Sequence, residues 1–128
     1  YAARGGRYAH GYDYAGSGVL AEVGWYRGNS QSQTRQVGLK APNELGLYDM
    51  SGNVWEWCWD WYDSEYYQTC YDQGVKHNPK GPESGRSRVI RGGSWYDLAS
   101  VCGVAGRGHG WPDHRDGYLG FRLSRTAL

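Results

Sequence analysis

Residues Ser51 to Tyr62 read SGNVWEWCWDWY, with tryptophan at 55, 57, 59 and 61 and an acidic residue on either side of Cys58. In an extended chain a period of two sets all four indoles on one face and Glu56, Cys58 and Asp60 on the other. Four indoles of roughly 150–250 Å² each exceed the exposed apolar patch of a typical monomer. The tryptophan face is therefore expected to be core, not an open platform for sugars or bases. Glu56 then lies among bulky apolar groups, where an unpaired carboxylate is costly, so it needs a metal ion or a basic partner. Asp49, Gly52, Val54 and Glu56 occupy a tight turn in which two carboxylates and two backbone carbonyls can converge, and hard oxygen ligands of this kind suit calcium. A pair of solvated or salt-bridged acids is the alternative.

The rest of the composition fits an aromatic fold. Among 128 residues there are one Phe and one Met but seven Trp, twelve Tyr and 21 Gly. Large aromatics must do the packing, with glycines where the backbone bends or approaches closely. That predicts a single α+β domain over residues 1–128 with short strands, sparse helix and much irregular but ordered loop. Formal net charge is +1 with both signs mixed along the chain, so no nucleic-acid partner is expected, and the RGG at Arg91 to Gly93 occurs once. No window approaches eighteen apolar residues, and no membrane insertion is expected. Cys58, Cys70 and Cys102 allow one disulfide at most, and without a CxxC a structural zinc site is disfavoured.

Along the chain, YAARGG reads as a helix end breaking at Gly5 and Gly6. Residues 8 to 36 read as loop, with a short strand or turn at VGWY, Val23 to Tyr26. Pro42 and Asn43 mark a turn, and NPKGP at Asn78 to Pro82 a surface loop. RVIRGGSW reads as a short strand ended by paired glycines, and LGFRLS as another.

In that order NELGLYDMSGNVWEWCWDWY, NPKGP, RVIRGGSW and LGFRL closely resemble the formylglycine-generating enzyme and sulfatase-modifying factor family. The resemblance covers the whole chain, with YAARGG matching the segment after the family's second helix. It implies a variant of the C-type lectin fold, with the part of the domain that precedes YAARGG missing. It also implies one structural calcium, held by the side chains of Asp49 and Glu56 and the carbonyls of Gly52 and Val54.

The same resemblance bears on catalysis. The family's oxidases bind copper through two thiolates, which soft Cu(I) favours. Aligned on GGSW, the second thiolate position is Cys102, but the first is Asp97, so copper is not expected. The related sulfoxide synthases hold iron through three histidines of an additional domain, and His10, His77, His109 and His114 do not reproduce that spacing. A metal-dependent oxidoreductase of this family remains the alternative function. Ser94 reads as scaffold, and Cys102 as a small buried hydrophobe.

Between the last two expected strands, residues 96–118 read YDLASVCGVAGRGHGWPDHRDGY. The mixture of Tyr, Asp, His, Ser and Gly suits adaptable recognition at low entropy cost, and Ala99, Cys102, Arg107, Pro112 and Arg115 are read as a fixed lattice within it. The segment resembles the variable region of proteins diversified by diversity-generating retroelements, in which adenine-specific mutation of asparagine codons gives a limited residue set. Lys, Glu, Gln, Met and Asn are absent from it. Tyr96, Asp97, Leu98, Ser100, Val101, Gly106, Gly108, His109, Gly110, Asp113, His114, Asp116, Gly117 and Tyr118 all belong to the permitted set. Trp111 does not, and is either fixed or evidence against that origin. These fifteen residues form the expected ligand-binding surface, for a protein or other macromolecular ligand. His109, Asp113, His114 and Asp116 as a transition-metal set are the competing use. By resemblance the expected location is a cell surface, the secreted fraction or a phage particle.

Overall fold

The computed structural model describes residues 1–74 and 77–124. A four-stranded sheet in the order β3-β2-β1-β4 organises it. The strip at Trp55–Trp61 is β1, RVIR at Arg88–Arg91 is β2, Gly108–Gly110 is β3 and Leu119–Gly120 is β4. β1 pairs antiparallel with β2, β2 antiparallel with β3, and β1 parallel with β4. Two short helices, α1 at Leu20–Val23 and α2 at Tyr66–Asp72, lie outside the sheet. The α+β class with sparse helix and extensive loop is as expected. The first residues form a 3-10 turn, Ala2–Arg4, closed by left-handed Gly5, and a second one, Gly6–Tyr8. VGWY is not a strand: Val23 ends α1, and residues 24–26 have no regular structure.

The strip departs from its expected role. Trp57 pairs with Ile90 and Trp61 with Arg88, so four steps along β1 match two along β2. The extra residues form a bulge, which breaks the period of two between Trp57 and Trp61. Trp59 is 85% exposed as a result, and none of the seven tryptophans, all within the described residues, is buried. The buried apolar residues are instead Ala15, Leu20, Val23, Val89, Ile90 and Cys102. Trp61 carries the Arg88 guanidinium 3.6 Å from its ring centroid, and Trp59 lies 5.3 Å from the same group. Trp55, Trp57 and Trp61 are thus half-covered beside a small aliphatic core while Trp59 stands open, and the Arg88 cation covers part of the Trp61 ring.

Buried polar side chains order the loops in place of regular structure. Ser51 accepts from Ala15 N–H at 3.1 Å, and Ser30 Oγ donates to the Trp95 carbonyl at 2.8 Å. Asn43 donates to the Ala2 carbonyl at 2.7 Å and accepts from the Leu45 and Leu47 amides. Asn53 accepts from Arg35 N–H at 3.0 Å. Each satisfies backbone groups that a helix or strand would otherwise pair.

Candidate ligand-binding site

β2 delivers the chain to residues 96–118. It ends at Gly92 and Gly93, whose φ of 98° and 70° suit glycine. Beyond them Ser94 is buried, and its Oγ donates to Asp97 Oδ2 at 2.5 Å while accepting from Tyr96 N–H. Trp55 Nε1 donates to the same oxygen at 2.8 Å. Trp95 is anchored at both ends, its amide donating to the Asn53 carbonyl and its indole N–H to that of Gly117. A 3-10 turn at Ala99–Val101 then turns Cys102 inward, at 0% exposure, against Leu20 and Val23. Residues 96–118 therefore start from a hydrogen-bonded frame.

The segment forms one side of an open cavity of about 620 Å³. Tyr96, Asp97, Gly108, His109 and Tyr118 line it together with Trp55, Tyr62, Ile90, Ser94 and Arg107. His109 stacks on Tyr62 with ring centroids 4.2 Å apart. None of the fifteen expected surface residues is buried, and Tyr96, Leu98 and Trp111 are among the exposed ones. They do not form one face. Ser100 and Gly106 line a separate cavity with Arg4, Tyr12 and Tyr14, while Asp113, His114, Asp116 and Gly117 lie on exposed loop beyond β3. Gly108 and Gly110 meet the scaffold: a Cβ at Gly110 would lie 3.0 Å from the Trp57 ring, and one at Gly108 3.1 Å from Ile90. Among the described residues no three His, Cys, Asp or Glu side chains converge, so His109, Asp113, His114 and Asp116 are not gathered into a ligand set.

Trp55, Tyr62, Ile90, Ser94 and Arg107 are the lining residues that the sequence did not assign to ligand contact. Tyr62 stands one position beyond the tryptophan strip, and its aromatic character was the available signal. Arg107 had been placed in the fixed lattice. It packs on the rings of Tyr62 and Tyr67 at 4.8 and 4.3 Å and donates to the Asp63 carbonyl at 2.7 Å.

The two positions aligned with copper-binding thiolates are Asp97 and the buried Cys102. Asp97 Oδ2 already accepts from two donors. Burial, aided by the neighbouring Asp97 charge, pushes the Cys102 thiol up to about 12, so it is neither thiolate nor nucleophile near neutrality. Cys58 and Cys70 are free thiols as well, and burial raises the Cys58 pKa.

The turn expected to hold calcium borders a different cavity. Asp49, Val54 and Glu56 line a cavity of about 470 Å³, and Asp49 and Gly52 adopt φ of 55° and 82°. Asp49 Oδ2 accepts from Gly38 N–H at 2.8 Å, whereas its Oδ1 is buried without a hydrogen-bond partner. That orphan oxygen has a lone pair that suits a hard cation. Glu56 is also the carboxylate that Arg122 grips, through Nε at 2.8 Å and Nη2 at 2.7 Å. Arg122 donates in addition to the Tyr48 and Asp49 carbonyls. The hydrogen-bonded Glu56 holds the guanidinium pKa above its usual value, against partial burial. The basic partner that Glu56 required is thus present.

Comparison with known proteins agrees with this architecture. Residues 1–127 match the model of the sulfatase-modifying factor enzyme 1-like domain. The formylglycine-generating enzyme of Streptomyces coelicolor is 37% identical over 144 residues, covering 99% of this chain and 44% of the relative. That of Thermomonospora curvata is 40% identical over 98 residues, covering 74% and 32%. Treponema denticola variable protein 1 superposes with a TM-score of 0.77 at 38% identity, covering 94% of this chain and 42% of that one. The chain spans less than half the length of each of these relatives. With its sheet, its sparse helix and its ordered loops of α+β C-type lectin-like type, the chain belongs to the sulfatase-modifying factor enzyme 1-like family.

Proposed function

We propose that this chain is a non-enzymatic ligand-binding domain, in which a rigid scaffold displays residues 96–118 as a diversified recognition surface, as in the variable proteins of diversity-generating retroelements. The observation that carries this reading is the division inside the segment. Cys102 is fully buried in the core, while the fourteen changeable positions and Trp111 all retain exposure, and five of the fourteen border one aromatic cavity. Such an arrangement tolerates exchange of its outward contact residues, while Asp97, Gly108 and Gly110 are held by the frame. The ligand is a protein or another macromolecule, met at a cell surface, in the secreted fraction or on a phage particle. Calcium, held by Asp49 and Glu56 with the Gly52 and Val54 carbonyls, supplies structural cross-linking only. Replacing Tyr96, His109 and Tyr118 in a displayed library tests the reading: selected clones should change ligand while keeping the melting temperature.

The identity with formylglycine-generating enzymes favours a second reading, a metal-dependent oxidase. Purified chain incubated with copper and a cysteine-containing peptide distinguishes the two. Aldehyde formation that disappears in Cys102→Ala supports the oxidase. No turnover, with ligand binding unchanged in Cys102→Ala, supports the binder.

A further inference from the structure

Two arginines meet on Tyr67 beside the cavity, Arg107 within its lining and Arg91 outside it, and neither makes a salt bridge among the described residues. Arg91, at the end of β2, donates from Nη2 to the Tyr67 hydroxyl at 2.8 Å, and Arg107 lies over the same ring. Their other partners are neutral: Arg91 Nη1 donates to the Ala105 and Gly106 carbonyls, and Arg107 Nη2 to that of Asp63. Among the described residues the one ion pair is Arg122 with Glu56. Two guanidiniums converging on one phenol repel each other, and neighbouring rings remove part of their hydration. Tyr67 registers the resulting field. Burial pushes its phenol up, yet Arg107 and Arg91 outweigh that and hold its pKa below the usual value. The cluster is open, since Tyr67 is 59% exposed.

We infer that Arg91, Arg107 and Tyr67 form an anion subsite beside the cavity, reached through Arg107, which takes a carboxylate of an acidic peptide ligand. This rests on the binding reading proposed above. A guanidinium fork matches a carboxylate in shape and charge. The tyrosine-rich wall beside it, with His109 stacked on Tyr62, suits a peptide more than a bare ion. Arg107 belongs to the positions read as fixed, so the subsite serves as a common anchor while its neighbours change.

Titration of the chain with an N-acetylated tetraglutamate peptide at low salt tests this, followed by backbone amide NMR shifts of Tyr62, Tyr67 and Arg107. Saturable shifts are expected, together with a rise in the Tyr67 phenol pKa as the added carboxylate offsets the arginines. Arg107→Gln should weaken binding about tenfold or more. An unchanged melting temperature and amide spectrum of Arg107→Gln outside the subsite show that its loss of binding is not mere unfolding. No saturation at millimolar peptide, or equal affinity in Arg107→Gln, overturns the subsite. A heparin hexasaccharide that displaces the peptide and binds more tightly overturns the peptide class in favour of sulfated glycan. If library selection changes ligands but tetraglutamate never binds, the subsite alone fails. If tetraglutamate binds but exchange within 96–118 never changes the ligand, the recognition reading fails instead.

Discussion

Trp55 Nε1 donates to Asp97 Oδ2 at 2.8 Å, tying the central strand to the start of the recognition segment 42 residues later. Ser94 Oγ shares the same oxygen. Asp97 therefore positions the segment as well as bordering the cavity.

Asp97→Ala leaves an indole N–H and a hydroxyl without their acceptor, and unmade bonds of this kind cost about 1–3 kcal/mol each when buried. The expected loss is about 2 kcal/mol in urea unfolding, with broadening of Tyr96 signals. Asp97→Asn keeps an acceptor oxygen and should cost less. Equal stability of Asp97→Ala and wild type contradicts the positioning role.

Cys102 predicts both a reactivity and a pH dependence. The folded thiol is raised from 9.0 to about 12. A group raised in the fold contributes its stability in full below its unfolded pKa and loses it as pH rises through the folded one. The difference in unfolding free energy between wild type and Cys102→Ala should therefore be flat below about pH 9 and shrink between 9 and 12. A disulfide reagent at pH 8 should leave Cys102 unmodified until denaturant is added. Rapid labelling of Cys102 in the folded chain contradicts its placement.

Arg122 and Glu56 side chains are 33% and 22% exposed, which discounts their pairing. Arg122→Gln alone should cost about 1 kcal/mol. Calcium should raise the melting temperature of the wild type through Asp49 and Glu56, and by more in Arg122→Gln, where no guanidinium competes for Glu56. The calcium shift should vanish in Glu56→Ala. An equal shift in Glu56→Ala removes the proposed ion from this turn.

Glycines in and beside the segment divide by what surrounds them. A Cβ at Gly52 would lie 2.4 Å from the Trp25 carbonyl oxygen at φ +82°, whereas one at Gly117 meets nothing within 4 Å. Gly52→Ala should cost more than about 1 kcal/mol, and Gly117→Ala should stay within about 0.5 kcal/mol of wild type. Gly110→Tyr, against the Trp57 ring, should destabilise while Gly117→Tyr does not. Comparable melting temperatures for that last pair contradict the inward orientation of Gly110.

Much of the scaffold was legible because it is written locally. Alternation announced β1, and β-branched residues followed by two glycines announced β2 and its end. Other features depend on partners distant in sequence. The bulge that exposes Trp59 arises from register against β2, so no period within the strip could show it. α1 and α2 are one or two turns long, below the length at which helical periodicity is visible. β3 is Gly-His-Gly, without strand propensity, and exists because β2 offers it an edge over the Trp55 and Trp57 rings. At the site, the exposed character of 96–118 was legible from composition. The inward set of Gly108 and Gly110 was not, since it depends on indoles some fifty residues earlier. Tyr62 and Arg107 entered the cavity through the fold of the 63–72 segment, to which the sequence assigned no structure.

The central claim is that residues 96–118 vary on a constant frame, and deep sequencing of this gene across a population of its host tests that most directly. Substitutions should concentrate at the adenine-derived codons, among them exposed 96, 98, 109, 113 and 114 and half-buried 118, with Trp55, Ser94, Cys102 and Arg107 unchanged. Substitutions spread evenly along the chain, or a constant segment from 96 to 118, would contradict it.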